Sequence, residues 1–402
     1  MNFTRHDMIR ELGKSRWLSV DDGRCRINMA NQSKKVPSHA TAKRKKRKRY
    51  SKKVRVTTIL GVSVMGLMAA LCIGVGVFIW NMLNKVNYTP DNDWSMLESI
   101  PPDENAASGE LQNYEEDYQK AQTLADIPIR TNEGPITNYL LLGYDGNSNR
   151  GVRSDTNIIL SINDQKKTIK LISLLRDTYV SLPGRDANKD GKDDWGKLNA
   201  AYAYGGHDMQ FRMIRDNFRL EITQYVGVNF TSLPIVIDAI GGLDIELTKA
   251  EMNLIPAAGV KALPGDSNWK SMSGSAGVYH LDGFQALQYA RIRYIDTDFK
   301  RTARQRHVVT LMMEKAKTMG VLELMGVATK ALECIDTNMT PDELLGLASN
   351  ALKYKDYTII NDYYLPQPDD YVGKTYKGVG SVLEFKNQKA SVEALHHYIY
   401  DE

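Results

Sequence analysis

The sequence predicts an α/β domain in which a central mixed or mostly antiparallel sheet is flanked by helices, preceded by one transmembrane helix and a disordered basic tail. Three observations carry this. From residue 138 onward, short apolar runs of strand length alternate with longer runs of helical spacing, the pattern of helices packed on both faces of a sheet. Residues 56–80 form an uncharged run of 25, longer than the ~20 needed to cross a bilayer as a helix. Charge is divided unevenly: residues 1–55 hold 18 Lys+Arg against 4 Asp+Glu, so the overall +4 conceals about +14 before the apolar run and −10 after its start.

The KRKKRKR block at residues 43–49 lies just before the apolar run, which places the N-terminus in the cytoplasm and residues 81–402 outside. A cleaved signal peptide fits poorly, because the run is long and stands behind a 55-residue leader. The tail is too polar to build a core. Its position against a membrane span makes anionic lipid headgroups the simpler partner, and no nucleic acid is expected. The three cysteines, Cys25, Cys72 and Cys334, fall on the inside, in the span and outside, so the outer part has no internal disulfide and must rely on its own core.

Residues 81–135 are rich in Asp, Glu, Asn and Pro and read as an extracytoplasmic stalk with one short helix near 111–124. Residues 136–402 form the expected domain. Residues 139–143, 156–162 and 168–175 read as three consecutive strands. If each pairs antiparallel with the next, the end of the first, the start of the second and the end of the third share one sheet edge. That edge collects Asp145, Arg153, Asp155, Arg176 and Asp177. A pair of aspartates there would hold Mg²⁺ through oxygen ligands, although short charged residues also simply end strands. Residues 186–194 (DANKDGKDD) open like a calcium loop, but Lys197 stands where a bidentate Glu is needed, which favours a solvated turn. Residues 197–206 read as a short helix ended by glycines and 207–218 as another. Strand, helix and strand follow at 222–228, 233–240 and 243–247, then helices at 308–317, 321–332 and 341–352, a last strand at 357–365 and a closing helix at 390–400.

Residues 281–305, LDGFQALQYARIRYIDTDFKRTARQ, concentrate the chemistry. Asp282 and Gln285 form a helix-start signal. Arg291 and Arg293 are two apart and would point to one side of an extended chain. Arg301, Arg304 and Gln305 share a helix face at spacings of three and four, and Asp296 and Asp298 lie between the two groups. Guanidinium forks suit a phosphate or pyrophosphate, because each pairs two oxygens at once. A surface laced with ion pairs has the same composition.

The blocks LLLGYDGNSNRGVRSDTNIIL, SLLRDTYVSLPG, KLNAAYAYGG, DAIGGLDIEL and LDGFQALQYARIRYIDTDFKRTARQR follow one another across residues 136–317, and in that order the chain resembles the LytR-CpsA-Psr family of cell-wall ligases. One departure is Leu175, where the family often has Pro before the Arg-Asp pair. The resemblance implies a membrane-anchored phosphotransferase of a Gram-positive envelope. It would move a glycopolymer such as teichoic acid or capsular polysaccharide from a polyprenyl-pyrophosphate carrier to the 6-hydroxyl of N-acetylmuramic acid in peptidoglycan. Carried onto this chain, it puts Mg²⁺ on Asp145 and Asp155 and the pyrophosphate on Arg176, Arg291, Arg293, Arg301 and Gln305, with Arg153, Lys197 and Arg304 beside them. Asp296 or Asp298 would orient or deprotonate the acceptor hydroxyl. A pyrophosphatase acting on lipid carriers, or a non-catalytic attenuator that binds them, would use the same groups.

Overall fold

The computed structural model describes residues 73, 77, 80, 81, 83–88, 109–146, 151–187, 189–293 and 295–401. The expected tail lies outside these residues, and so does the expected span except for Ile73, Val77 and Trp80, which are helical. Among the described residues no helix is long and apolar enough to cross a membrane.

The elements follow in order: β1 (Asn87–Tyr88), α1 (Tyr114–Thr123), β2 (Ile136–Tyr144), β3 (Ser154–Asn163), β4 (Thr168–Leu174), β5 (Tyr179–Leu182) and β6 (Asp194–Lys197). Then come α2 (Ala200–Phe218), β7 (Tyr225–Asn229), α3 (Ser232–Ala239), β8 (Leu243–Leu247), α4 (Lys249–Met252), β9 (Gly277–Leu281), α5 (Gly283–Arg291) and α6 (Asp298–Thr318). The chain continues through α7 (Val321–Leu332), β10 (Asp336–Thr337), α8 (Pro341–Asn350), β11 (Thr358–Leu365), β12 (Tyr371–Tyr376), β13 (Gly380–Phe385) and α9 (Gln388–Tyr400).

Among the described residues the central sheet has seven strands in the order β1-β10-β7-β2-β3-β4-β11. It is mixed: β2, β3 and β4 form the expected antiparallel meander, while β7 and β11 add to it in parallel. Alternation along the strands supplies both faces with apolar side chains. Leu140, Leu142, Ile159 and Ile172 meet α2 and α9 in the main core, while Ile162, Ile169 and Tyr139 meet Met313 of α6 on the other side. Each fully buried aliphatic chain contributes roughly 1.5–3 kcal/mol. Leu175 donates its backbone N–H to Leu365 O at 2.8 Å, extending the β4–β11 pairing by a bond that a proline there could not make.

Glycines shape the chain at two places. The expected break inside residues 197–218 falls within α2, where Gly205 and Gly206 leave helical geometry and Gly206 takes φ +63°. At the start of α5, a Cβ on Gly283 would stand 2.1 Å from Pro234 O, so only glycine lets α5 close against α3.

The structure corrects several expectations. The short helix expected near 111–124 forms as α1, but the chain just after it does not stand off from the domain, since Leu124 and Ile127 are buried in the main core. β8 lies outside the central sheet and pairs with β9; two further hairpins, β5–β6 and β12–β13, were not expected. β11 is therefore not the last strand, and Lys197 ends β6 instead of opening a helix. In the turn before β6, Asp186 accepts the backbone N–H groups of Asp190 and Gly191, at 3.0 and 2.9 Å, as a turn-forming aspartate does.

Candidate active site

The strand edge forms as the meander requires. Tyr144 of β2 pairs with Ser154 of β3, and Ile158 pairs with Ser173 of β4. Asp145, Asp155 and Arg176 are therefore carried to the same end of three neighbouring strands. From the other side, α5 is started by a capping box in which Asp282 accepts from Gln285 N at 2.8 Å and donates its own N–H to Gln285 Oε1 at 3.1 Å. Its register is set by Ala286, Leu287 and Ala290, all buried, and the helix ends at Arg291. Ile292, buried at φ −52°, ψ 128°, then turns the chain, so Arg291 and Arg293 do not lie on an extended segment as expected. They nonetheless line the same cavity, joined by Arg301 and Gln305 one turn apart on α6.

The charged groups form an alternating series. Arg293 Nη2 lies 3.7 Å from Asp155, Asp155 accepts from Arg176 Nη1 at 2.8 Å, Arg176 Nη2 lies 4.0 Å from Asp298, and Asp298 meets Arg301 Nη2 at 2.6 Å. Asp177, 3.4 Å from Arg176 Nε, also holds Lys197 at 3.0 Å. Burial alone would lower Arg176, but Asp155, Asp177 and Asp298 outweigh it and fix the proton more firmly. For Arg301, burial first and then the neighbouring Arg176 lower the guanidinium below its ordinary value. A guanidinium destabilised in this way gains from an incoming anion. Arg176 Nε is buried with no hydrogen-bond partner among the described residues, and Arg291 lies 4.0 Å above the ring of Phe230.

Two cavities adjoin at these groups. The first, of about 450 Å³, is lined by the polar and charged Asp145, Asp155, Arg291, Arg293, Arg301 and Gln305 and by the apolar Phe230, Leu254, Leu263, Pro264 and Ile292. The second, of about 470 Å³, shares Asp145, Asp155 and Arg293 and adds Arg153, Arg176, Asp177 and Lys197. A pocket lined by apolar side chains and by a cluster of guanidinium groups suits an amphiphile with an anionic head.

Two expected residues are employed elsewhere. Arg304 is not on the cavity face with Arg301 and Gln305: both its Nη groups grip Asp296, at 2.6 and 2.9 Å, Nη2 also donates to Ile292 O at 3.0 Å, and Glu251 is 3.5 Å away. Arg304 and Gln305 are consecutive on the helix and therefore about 100° apart around its axis, and that rotation carries Arg304 behind the linker. Asp296, with its carboxyl held below the ordinary range chiefly by the Arg304 hydrogen bonds, is thereby removed as a proton acceptor; Asp298 stays among the cavity arginines. Sequence reasoning missed the whole apolar lining. Phe230 follows β7 and the leucines come from the long loop after α4, where no periodicity marks them.

For a hard cation the fitting donors are Asp145 and Asp155, which line both cavities. Among the described residues no group of three or more Asp, Glu, His or Cys is placed to hold a metal ion by itself. Two carboxylates suit Mg²⁺, which keeps waters and takes its remaining ligands from substrate phosphates, better than a metal that needs a complete protein cage.

Comparison with known proteins agrees with this architecture. The polyisoprenyl-teichoic acid–peptidoglycan teichoic acid transferase TagU of Bacillus cereus is 28% identical over 292 residues, covering 71% of this chain and 81% of its own. The protein of the same name from Enterococcus faecalis is 29% identical, over 58% of this chain and 71% of its own. Among solved structures, TagT bound to LIIa-WTA has a TM-score of 0.52 at 23% identity, covering 66% of this chain and 90% of its own, and shows the same fold. A Streptococcus agalactiae protein reaches a TM-score of 0.54 at 24% identity over 66% and 88%. The LytR_cpsA_psr family model matches residues 104–393, wider than the 136–317 that carry the recognisable blocks, and this chain belongs to that family.

Proposed function

We propose that this protein transfers an anionic glycopolymer from a polyprenyl-pyrophosphate carrier to peptidoglycan, working outside the membrane on a single N-terminal span. The supporting observation is the first cavity, in which apolar side chains meet Arg291, Arg293 and Arg301. It matches a prenyl chain joined to a diphosphate. The kinship with TagU, named for the transfer of teichoic acid to peptidoglycan, supports the reaction class. Localisation rests on the apolar run at residues 56–80 behind its basic block.

In this reading Phe230, Leu254 and Leu263 take the first prenyl units and the arginines take the diphosphate. The acceptor hydroxyl enters from the second cavity, where Arg153 and Lys197 stand beside Arg176. Its oxygen bonds to the sugar-side phosphorus, the bond from that phosphorus to the bridging oxygen breaks, and prenyl phosphate leaves. The hydroxyl proton passes to a carboxylate, for which Asp298 is placed among the arginines. Arg176 and Arg301 neutralise charge on the phosphoryl oxygens, the term that dominates in phosphoryl transfer. Mg²⁺ held by Asp145 and Asp155 would supply further neutralisation of the diphosphate.

The test mixes the protein in nanodiscs with Mg²⁺, a lipid-linked oligosaccharide and peptidoglycan fragments. The expected product is a sugar-phosphate-muramyl adduct, lost in Arg293→Ala and Asp155→Ala while both variants remain folded. Free oligosaccharide phosphate and prenyl phosphate instead, formed with water as the acceptor, would make the protein a pyrophosphatase. Binding with no product would make it a non-catalytic attenuator.

A further inference from the structure

A third cavity, of about 250 Å³, lies beyond the reaction centre between the β5–β6 hairpin and the β12–β13 turn. It shares Arg153 and Lys197 with the second cavity, so the three follow one another: apolar and cationic, then mixed, then basic. Its other ionic groups are Arg185, Lys377 and a single acid, Asp194. Four cations against one carboxylate make it the most one-sided of the three.

The cations are held in different ways. Arg185 is fixed by Asp194, 2.9 Å from its Nε, and by the ring of Tyr204, 3.8 Å beneath its guanidinium. Those contacts orient the fork without using its terminal nitrogens, which have no acceptor among the described residues. Lys377 is exposed at the turn before β13, and among the described residues no acid pairs with it. The walls are tied together. Leu383 N donates to Asp177 O at 2.9 Å, and Gln112 donates to Trp195 O at 3.0 Å and to Tyr179 OH at 2.6 Å. Through Asp177, whose side chain holds Arg176 and Lys197, this wall is fastened directly to the reaction centre.

We propose that this cavity is a second anion subsite, which binds a phosphate or carboxylate borne by a saccharide one or more units away from the reacting diphosphate. The proposal rests on the transferase reading and deepens it, since such a group belongs either to the polymer being moved or to the peptidoglycan that receives it. An oriented guanidinium and an unpaired ammonium at the end of a groove select for repeated negative charge along a chain. A neutral saccharide gains nothing there.

The experiment uses the full chain in nanodiscs and the exposed Lys377, whose replacement disturbs no packing. Three probes are titrated separately: farnesyl pyrophosphate, a soluble glycerol-phosphate hexamer and a peptidoglycan disaccharide-peptide. Lys377→Glu should leave farnesyl pyrophosphate binding unchanged and weaken one of the anionic saccharides about tenfold, with Lys377→Arg restoring it. Loss confined to the hexamer assigns the subsite to the transferred polymer. Loss confined to the disaccharide-peptide assigns it to the acceptor. Unchanged binding of both, in Lys377→Glu and in Lys377→Glu/Arg185→Gln, overturns the proposal. Failure of the wild type to bind farnesyl pyrophosphate while the hexamer still binds at Lys377 would defeat the transferase reading and leave the subsite standing.

Discussion

Arg301 and Arg304 are three residues apart on one helix, and both are buried beside aspartates, yet they differ in how completely they are satisfied. Arg304 makes three hydrogen bonds shorter than 3.1 Å, two to Asp296 and one to Ile292 O, with Glu251 in reserve. It closes the linker between α5 and α6 and keeps little to offer a ligand. Arg301 shares a single carboxylate, Asp298, with Arg176, and its guanidinium is held below its ordinary value by burial and by that neighbour. The first cluster is closed and the second is open to an anion. Residue type and spacing do not distinguish them; the acceptors gathered around the terminal nitrogens do.

Breaking the closed cluster should give the largest effect. Arg304→Ala leaves Asp296, Glu251 and Ile292 O without their partner, and stranding hydrogen-bonding groups in this way costs about 1–3 kcal/mol. Urea unfolding should show that loss, while the folded fraction keeps its affinity for a prenyl diphosphate. A stable variant that had lost diphosphate binding would move Arg304 into the open cluster and erase the contrast.

A smaller effect sharpens the same point. Because the Arg304 hydrogen bonds lower Asp296 below its unfolded value of ~3.9, the pair's contribution is complete above that pH and is lost as pH falls through the folded value. Asp296→Asn should therefore cost at most about 1 kcal/mol at neutral pH and flatten the acid limb of the stability profile below about pH 4. An acid limb identical to wild type would mean that Asp296 does not carry it.

Much of this was legible in the sequence. The meander, the Asp282–Gln285 cap and the strand edge that carries Asp145, Asp155 and Arg176 follow from period, capping chemistry and strand pairing, which are local rules; that Arg291, Arg293 and Arg301 join that edge was implied by the family resemblance. The division of labour between Arg301 and Arg304 was not legible, because it depends on a backbone turn at Ile292 that no propensity encodes. The apolar lining was hidden for a related reason: Phe230, Leu254 and Leu263 come from segments brought together only by tertiary packing. The hairpins β5–β6 and β12–β13 have strands of only four and six residues, interrupted by Ser181, Gly196, Gly373 and Glu384, so they lacked the hydrophobic alternation that marked the central sheet.

The most direct test of the open cluster is titration of the full-length protein with farnesyl pyrophosphate, wild type against Arg293→Ala. Arg293 is half exposed, with 45% of its side chain accessible, so the substitution should leave the fold intact. Loss of a charge-assisted contact predicts affinity at least about tenfold weaker, with the unfolding midpoint unchanged. Equal affinity in the two proteins would contradict the account, because the diphosphate would then be bound somewhere other than among these arginines.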